Sequence, residues 1–240
     1  MIITGATISG AKIRGTSNAI VTSGLQVNLL SAPSSGTTWT DVSGNGYNAT
    51  LQGSPSYVST NGGGIMLNNS TYGGTDYISL PYNISSTTVS VELVASFNPT
   101  SYWATIWGNE NYNSGLGFFA FMASGTTITY GRPGATAAEN ITATNAIRHY
   151  IFVMNAGQNS MYINGSQNGT TQVRTTGGFA SGNFYFGSRH TNAGTGAQDK
   201  MNNSSSAYYP VYYQMRIYNR ALSASEITQN YNAVKGTYGI

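Results

Sequence analysis

The chain has 240 residues, of which 7% are charged and 40% hydrophobic, with 18 Tyr, 30 Gly, no Cys and a formal net charge of +3. The missing cysteine excludes disulfides and thiolate metal sites. The ten scattered Lys and Arg residues form no phosphate-binding stripe, which excludes nucleic acid, and no stretch approaches the ~20 apolar residues that cross a bilayer.

Residues 1–24 come first. Ile3, Ile8, Ile13 and Ile20 are separated by Gly, Ser and Thr, with breaks at Gly5, Gly10 and Gly15. This reads as an extended N-terminal arm, either an edge strand of the main domain or a segment that pairs with a neighbouring subunit. The opening MIITGATISG lacks the charged start and apolar core of a signal peptide, so synthesis in a cytoplasm without a leader is expected.

From Leu25 to Ile240 the pattern predicts one all-β domain. Strand signals recur at 25–30, 64–67, 77–80, 88–97, 117–122, 126–130, 148–155, 160–164, 183–187 and 208–218. Short strands with polar turns predict a sandwich, jelly roll or barrel of antiparallel sheets. In Val89–Phe97, Val89, Val91, Leu93, Ala95 and Phe97 alternate with Ser90, Glu92, Val94 and Ser96, which predicts one core-facing side. Gly44-Asn45-Gly46 after Asp41 reads as a tight turn, and Asn164-Gly165 and Asn168-Gly169 as hairpin dipeptides.

One helix is specified, from about Ala224 to Lys235. Ser223 and Glu226 form a capping box, Leu222 and Ile227 stand at staple spacing, and Gly236 is placed to end the helix. Ile227, Tyr231 and Val234 share its apolar face.

Three stretches, in order, resemble laminin-G-like domains of the concanavalin A-like jelly-roll superfamily. They are Trp39-Thr40-Asp41-Val42-Ser43-Gly44-Asn45-Gly46 with Leu51, then Met161-Tyr162-Ile163-Asn164-Gly165, then Met215 to Ser223 leading into the helix. The continuation Gln229-Asn230-Tyr231-Asn232-Ala233 to Gly236 is similar to the version found in bacteriophage virion proteins. The resemblance implies a two-sheet jelly roll over residues 25–240 and a non-enzymatic virion surface protein, a capsid decoration or auxiliary subunit. Its partners would be capsid or tail proteins and repeated copies of itself. The sparse charge suits such a lattice, and equally an ordinary weakly charged globular protein. The alternative is a glycan-binding adhesin, a tail or fibre receptor-binding module; a third is a glycoside hydrolase.

The resemblance also implies calcium at the sandwich rim. Asp41 and Asn45 are the candidate ligands, although Leu29-Leu30-Ser31-Ala32 lacks the Asp that usually follows the first strand. Calcium needs six to eight oxygens, and no second carboxylate is evident. The competing reading makes Asp41 an Asx-turn that supports the glycine turn, with no cofactor. For a surface glycan, Trp103, Trp107, Asn111 and Tyr112 are candidates, because aromatics stack on sugar faces while amides bond hydroxyls; the tryptophans read equally as core. Tyr208-Tyr209-Pro210 is a second such cluster. For hydrolysis, the related glucanases align carboxylates on one strand face. Here the seven Asp and Glu residues include no such pair, and Glu92 stands alone on its strand. His149 sits within a strand pattern, so a structural role is expected.

Overall fold

Turn chemistry cuts the chain into short extended segments. The computed structural model describes residues 19–69, 74–97, 104–109, 117–124, 126–132, 135–141, 145–173, 182–190, 197–198 and 209–240. The domain opens with β1 (Leu25–Leu29), β2 (Thr38–Trp39), β3 (Ala49–Gln52), β4 (Ser56–Val58), β5 (Gly64–Met66) and β6 (Tyr77–Leu80). Next come β7 (Thr88–Ser96), β8 (Ala104–Gly108), β9 (Phe119–Ser124), β10 (Thr127–Arg132), β11 (Ala135–Asn140) and β12 (Arg148–Asn155). β13 (Gln158–Ile163), β14 (Ser166–Val173), β15 (Phe184–Phe186), β16 (Arg189–His190), β17 (Ala197–Gln198) and β18 (Val211–Tyr218) precede helix α1 (Ala224–Tyr238).

Two eight-stranded antiparallel sheets result. The first runs β14-β13-β12-β7-β18-β5-β4, with β1 also beside β18; the second runs β11-β10-β9-β8-β15-β6-β3-β2. Between them lies one core, in which Val91, Leu93, Phe152 and Ile217 of the first sheet meet Ile106, Trp107, Phe184 and Phe186 of the second. This is the predicted jelly-roll class.

The hairpin between β13 and β14 turns on Asn164 and Gly165, with φ of 50° and 79°. Two positive φ values make the turn that matches strand twist, which is why Asn-Gly is favoured there. Asn168-Gly169 does something else. It lies inside β14, where the register slips against β13 between Asn159 and Met161. Gly169 has φ of 75°, and a side chain there would strike the carboxylate of Glu139. The dipeptide makes a bulge rather than a second hairpin.

Strand β7 is buried on both sides, not one. Val91, Leu93 and Ala95 face the second sheet, while Ser90, Glu92 and Val94 are equally buried beneath α1. The helix starts as its cap predicts: Ser223 Oγ accepts from Glu226 N at 3.3 Å, and Ser223 N donates to Glu226 Oε2 at 2.9 Å. Its end differs. α1 continues through Gly236 to a left-handed cap at Gly239, because Val234 and Tyr238, four residues apart, both pack on Val94 and Tyr213. Its inward face is Ile227, Asn230, Val234 and Tyr238, with Asn230 in place of the expected Tyr231.

Residues 19–24, assigned from sequence to the arm, belong to the domain. Val21 is buried with Ile151, Tyr218 and Ile227. Its N–H donates to Asn230 Oδ1 at 2.8 Å, and its carbonyl accepts from Tyr218 Oη at 3.2 Å. The rest of the arm, residues 1–18, lies outside the described residues.

Candidate functional site

The outer face of the second sheet follows from strand parity. Side chains alternate, so with Ile78, Leu80, Phe184 and Phe186 in the core, Tyr77, Ser79 and Tyr185 point outward. Register extends the row: Ser79 lies opposite Tyr185 and Thr50, and Tyr77 opposite Gln52. Tyr77 and Tyr185 meet edge to face, centroids 5.7 Å apart. Asn183 Nδ2 donates to Ser79 Oγ at 3.1 Å. Tyr185 is buried and Tyr77 half-buried, while Thr50 and Asn183 are exposed. Burial, and then the neighbouring Tyr77, raise the Tyr185 phenol above its ordinary range, so it stays a neutral donor. Further along, Phe119 and Phe121 stack at 5.2 Å. The face is thus aromatic, hydroxyl and amide, with no charged side chain in the row from Thr50 to Tyr185.

The sequence-predicted glycan residues fall elsewhere. Trp107 is fully buried, stacked on Phe184 at 5.4 Å and edge-on to Phe152 at 5.5 Å. The register slips between Thr105 and Trp107, so both Ile106 and Trp107 reach the core. Trp107 is therefore a core residue and not a sugar platform. Trp103, Asn111, Tyr112 and Tyr208 lie outside the described residues.

Asp41 and Asn45 cap the edge of β1. Asp41 Oδ1 accepts from Asn28 N and Ser43 N, both at 2.9 Å, and Oδ2 from Ser43 Oγ at 2.8 Å and Tyr47 N at 3.0 Å. Asn45 Nδ2 donates to the carbonyls of Gln26 at 2.9 Å and Leu25 at 3.3 Å. Burial raises the Asp41 pKa, but these donors outweigh it and the net shift is downward. Calcium does not fit this arrangement: the carboxylate is filled by N–H and O–H donors, and Asn45 turns its donor end inward. Among the described residues, no group of three or more His, Cys, Asp and Glu is placed to hold a metal.

A family model described as the concanavalin A-like lectin/glucanases superfamily matches residues 72–228. The chain belongs to that superfamily. No curated protein sequence matches it. Among solved structures it is similar to the receptor-binding domain of a botulinum neurotoxin C/D mosaic serotype, with 16% identity, TM-score 0.65, and 88% of this chain and 51% of that one covered. It is similar to the binding domain of botulinum neurotoxin DC in complex with SialylT, with 12% identity, TM-score 0.65, and 89% and 52% covered. A structure of botulinum neurotoxin type C, whose cell entry is described as dependent upon interaction with two ganglioside molecules, matches with 12% identity, TM-score 0.65, and 88% and 51% covered. The chain spans about half the length of these structures, and the likeness is one of fold.

A lectin/glucanase superfamily member invites a look at its carboxylates, and Glu92 has the densest surroundings. Register places Arg216 and Ile151 opposite it and His149 diagonal to it. Glu92 Oε1 accepts from Arg216 Nη1 at 2.5 Å and pairs with His149 Nε2 at 3.0 Å. Oε2 accepts from Asn230 Nδ2 at 2.7 Å. Arg216 Nε donates to Asn28 Oδ1 at 3.1 Å. Burial pushes the Glu92 pKa up, but Arg216 and then His149 outweigh it, and the carboxyl is held down to about 2. Glu92, His149 and Arg216 are each no more than 1% exposed. Such a carboxylate is ionised at neutral pH and sealed under α1, whereas a glycosidase acid must keep a proton and touch the sugar. Its three side-chain partners were not read from sequence. The available signal was a lone carboxylate inside an apolar strand run, which demands a buried counter-charge.

The remaining described carboxylates are also dispersed. Asp76 Oδ1 and Oδ2 accept from Ser54 N at 2.8 Å and Asn68 N at 2.9 Å. Glu226 serves the helix cap and pairs with Arg220 at 2.7 Å. Glu139 packs on Gly169.

Proposed function

We propose that this chain is a non-enzymatic glycan-binding module that reads sugars on the outer face of its second sheet, around Tyr77, Ser79 and Tyr185. The observation that carries this reading is the polar-aromatic row itself: a half-exposed tyrosine held edge-on by a second, flanked by hydroxyls and amides. That is the chemistry a pyranose needs, an aromatic face for its C–H surface and neutral partners for its hydroxyls. The superfamily supports it, as do neighbours described as receptor-binding domains. The dispersal of the described carboxylates supports the non-enzymatic part. Glycan-array binding followed by NMR titration tests the reading. Ligand should shift Tyr77 and Tyr185 resonances, and Tyr77→Ala should weaken binding by about tenfold or more. Hits untouched by Tyr77→Ala would place the sugar elsewhere, and glycan hydrolysis abolished by Glu92→Gln would make the protein an enzyme.

The setting we propose is a virion surface, with repeated copies and capsid or tail proteins as partners. It rests on the sparse charge and on the helix sequence from Gln229 to Gly236. Copy number and position of the chain in purified particles test it.

A further inference from the structure

Strand β18 changes partner along its length. Val211 and Tyr212 pair with β5, while Met215 to Tyr218 pair with β1. Between them the first sheet has a gap on that side, covered by the last turns of α1. A cavity of about 380 Å³ opens there, within the size range of small-molecule sites. Ile20, Leu30 and Val234 give it apolar walls, the hydroxyl residues Ser31 and Thr237 add to the lining, and Asn28, Gln214, Arg216 and Tyr238 form its polar end.

The hydrogen-bond account of those four side chains is one-sided. The amide of Gln214 is assigned with Oε1 toward Arg216, accepting from Nη2 at 2.6 Å and Nη1 at 2.5 Å, and with Nε2 donating to Tyr238 Oη at 3.2 Å. Arg216 Nε is used by Asn28 Oδ1 and Nη1 also by Glu92. A guanidinium has five N–H groups; these bonds engage four, and the second hydrogen on Nη2 has no acceptor. The second hydrogen of Gln214 Nε2, the Tyr238 hydroxyl hydrogen and Asn28 Nδ2 are left over in the same way. Every side-chain oxygen of the four already accepts a bond. Glu92, the counter-ion of Arg216, does not line the cavity, and no other carboxylate does. Burial, then the opposing influences of Arg216 and Glu92, leave the Tyr238 phenol above its ordinary range, so it remains a donor.

We infer that this cavity binds a small organic carboxylate with an apolar body, its oxygens taking the spare donors of Arg216, Gln214 and Tyr238 and its body lying against Ile20, Leu30 and Val234. Four neighbouring side chains whose spare groups are all donors favour an acceptor-only group, and one guanidinium with its partner behind it favours a single negative charge. This site is separate from the tyrosine face of the second sheet.

The experiment is a side-chain NMR titration with benzoate and hexanoate, against the neutral probes benzyl alcohol and 1-hexanol at equal concentration. Saturable shifts at Arg216 Nε and Gln214 Nε2 are expected for both carboxylates with a Kd of about 1 mM or tighter, at least about tenfold tighter than for the alcohols. Ala233→Phe, filling the cavity from its helix wall, should abolish the shifts and leave the melting temperature unchanged. Gln214→Glu, which supplies a resident carboxylate to Arg216, should weaken benzoate by at least about tenfold. The inference is overturned if neither carboxylate gives saturable shifts, if the alcohols bind equally well, or if the shifts persist in a folded Ala233→Phe protein. Should Ala233→Phe fail to fold, Gln214→Glu and the alcohols still decide.

Discussion

The outer faces of the two sheets are opposites. That of the first is covered by α1, which seats two apolar patches, one around Ile151, Tyr218 and Ile227 and one around Val94, Tyr213 and Val234. Between them it encloses Glu92, Arg216, His149 and Asn230. That of the second carries tyrosines, serine, threonine and glutamine without a charge in the row from Thr50 to Tyr185. On the first sheet a buried ion pair therefore fixes a helix, while the tyrosine row of the second sheet is neutral. A charged group near a sheet surface is no sign of a functional site until its burial is known.

The largest expected effect tests the inward half of that contrast. Arg216→Met leaves Glu92 a buried charge without its guanidinium, held only by His149 and Asn230, and should cost about 3–5 kcal/mol in urea unfolding, whereas replacing both Glu92 and Arg216 with apolar residues should recover much of the loss. A small cost for Arg216→Met alone would mean the ion pair does not hold the helix. Next in size is the end of the arm. Removing residues 1–18 should leave the melting temperature unchanged, while removing 1–22 takes away the buried Val21 and the hydrogen bonds that Ala19, Val21 and Thr22 make to the domain, and should cost about 2–4 kcal/mol. Equal melting of the two truncations would return residues 19–22 to the arm.

Acid sharpens the same contrast. Glu92 and Glu226 both have carboxyls held down to about 2, below the unfolded value of about 4.3. Their stabilisation is complete above that unfolded value and lost as pH falls toward about 2. Unfolding free energy should therefore drop between these pH values, and Glu92→Gln should flatten the drop. Smaller still is the helix cap, where Ser223→Ala should lower stability by about 1 kcal/mol, read from the denaturant midpoint. On the second sheet, Thr50→Ala at an exposed position should change stability by no more than about 0.5 kcal/mol. A larger loss would show that this face is also built for stability.

The legible parts of the sequence are those where neighbours along the chain decide the outcome. Ser223 and Glu226 cap a helix whatever lies below it, and Asn164-Gly165 turns a hairpin because both positions need positive φ. Strands with strong apolar signals, the alternation of β7 and the continuous run of β12, were readable for the same reason. β14, with the sequence SQNGTTQV, carries no apolar alternation, and only its pairing with β13 makes it a strand. β8 was hidden in a stretch whose tryptophans, tyrosines and asparagines read as a binding loop, and a register slip turned Trp107 into the core.

The sequence by itself determined the fold class, the order of the main strands, the start of the helix and the absence of disulfides, because periodicity, capping and composition are properties of adjacent residues. Tertiary structure decided the rest. Gly236 did not end the helix because Tyr238 had a surface to pack on, Asp41 became an edge cap because β1 left its backbone groups open beside it, and Glu92 became half of an ion pair because β18 brought Arg216 opposite it. The neutral tyrosine face also appeared only when β6 and β15, distant in sequence, were paired. Each outcome depends on which strands become neighbours, and that is set by burial of the whole chain rather than by any local stretch.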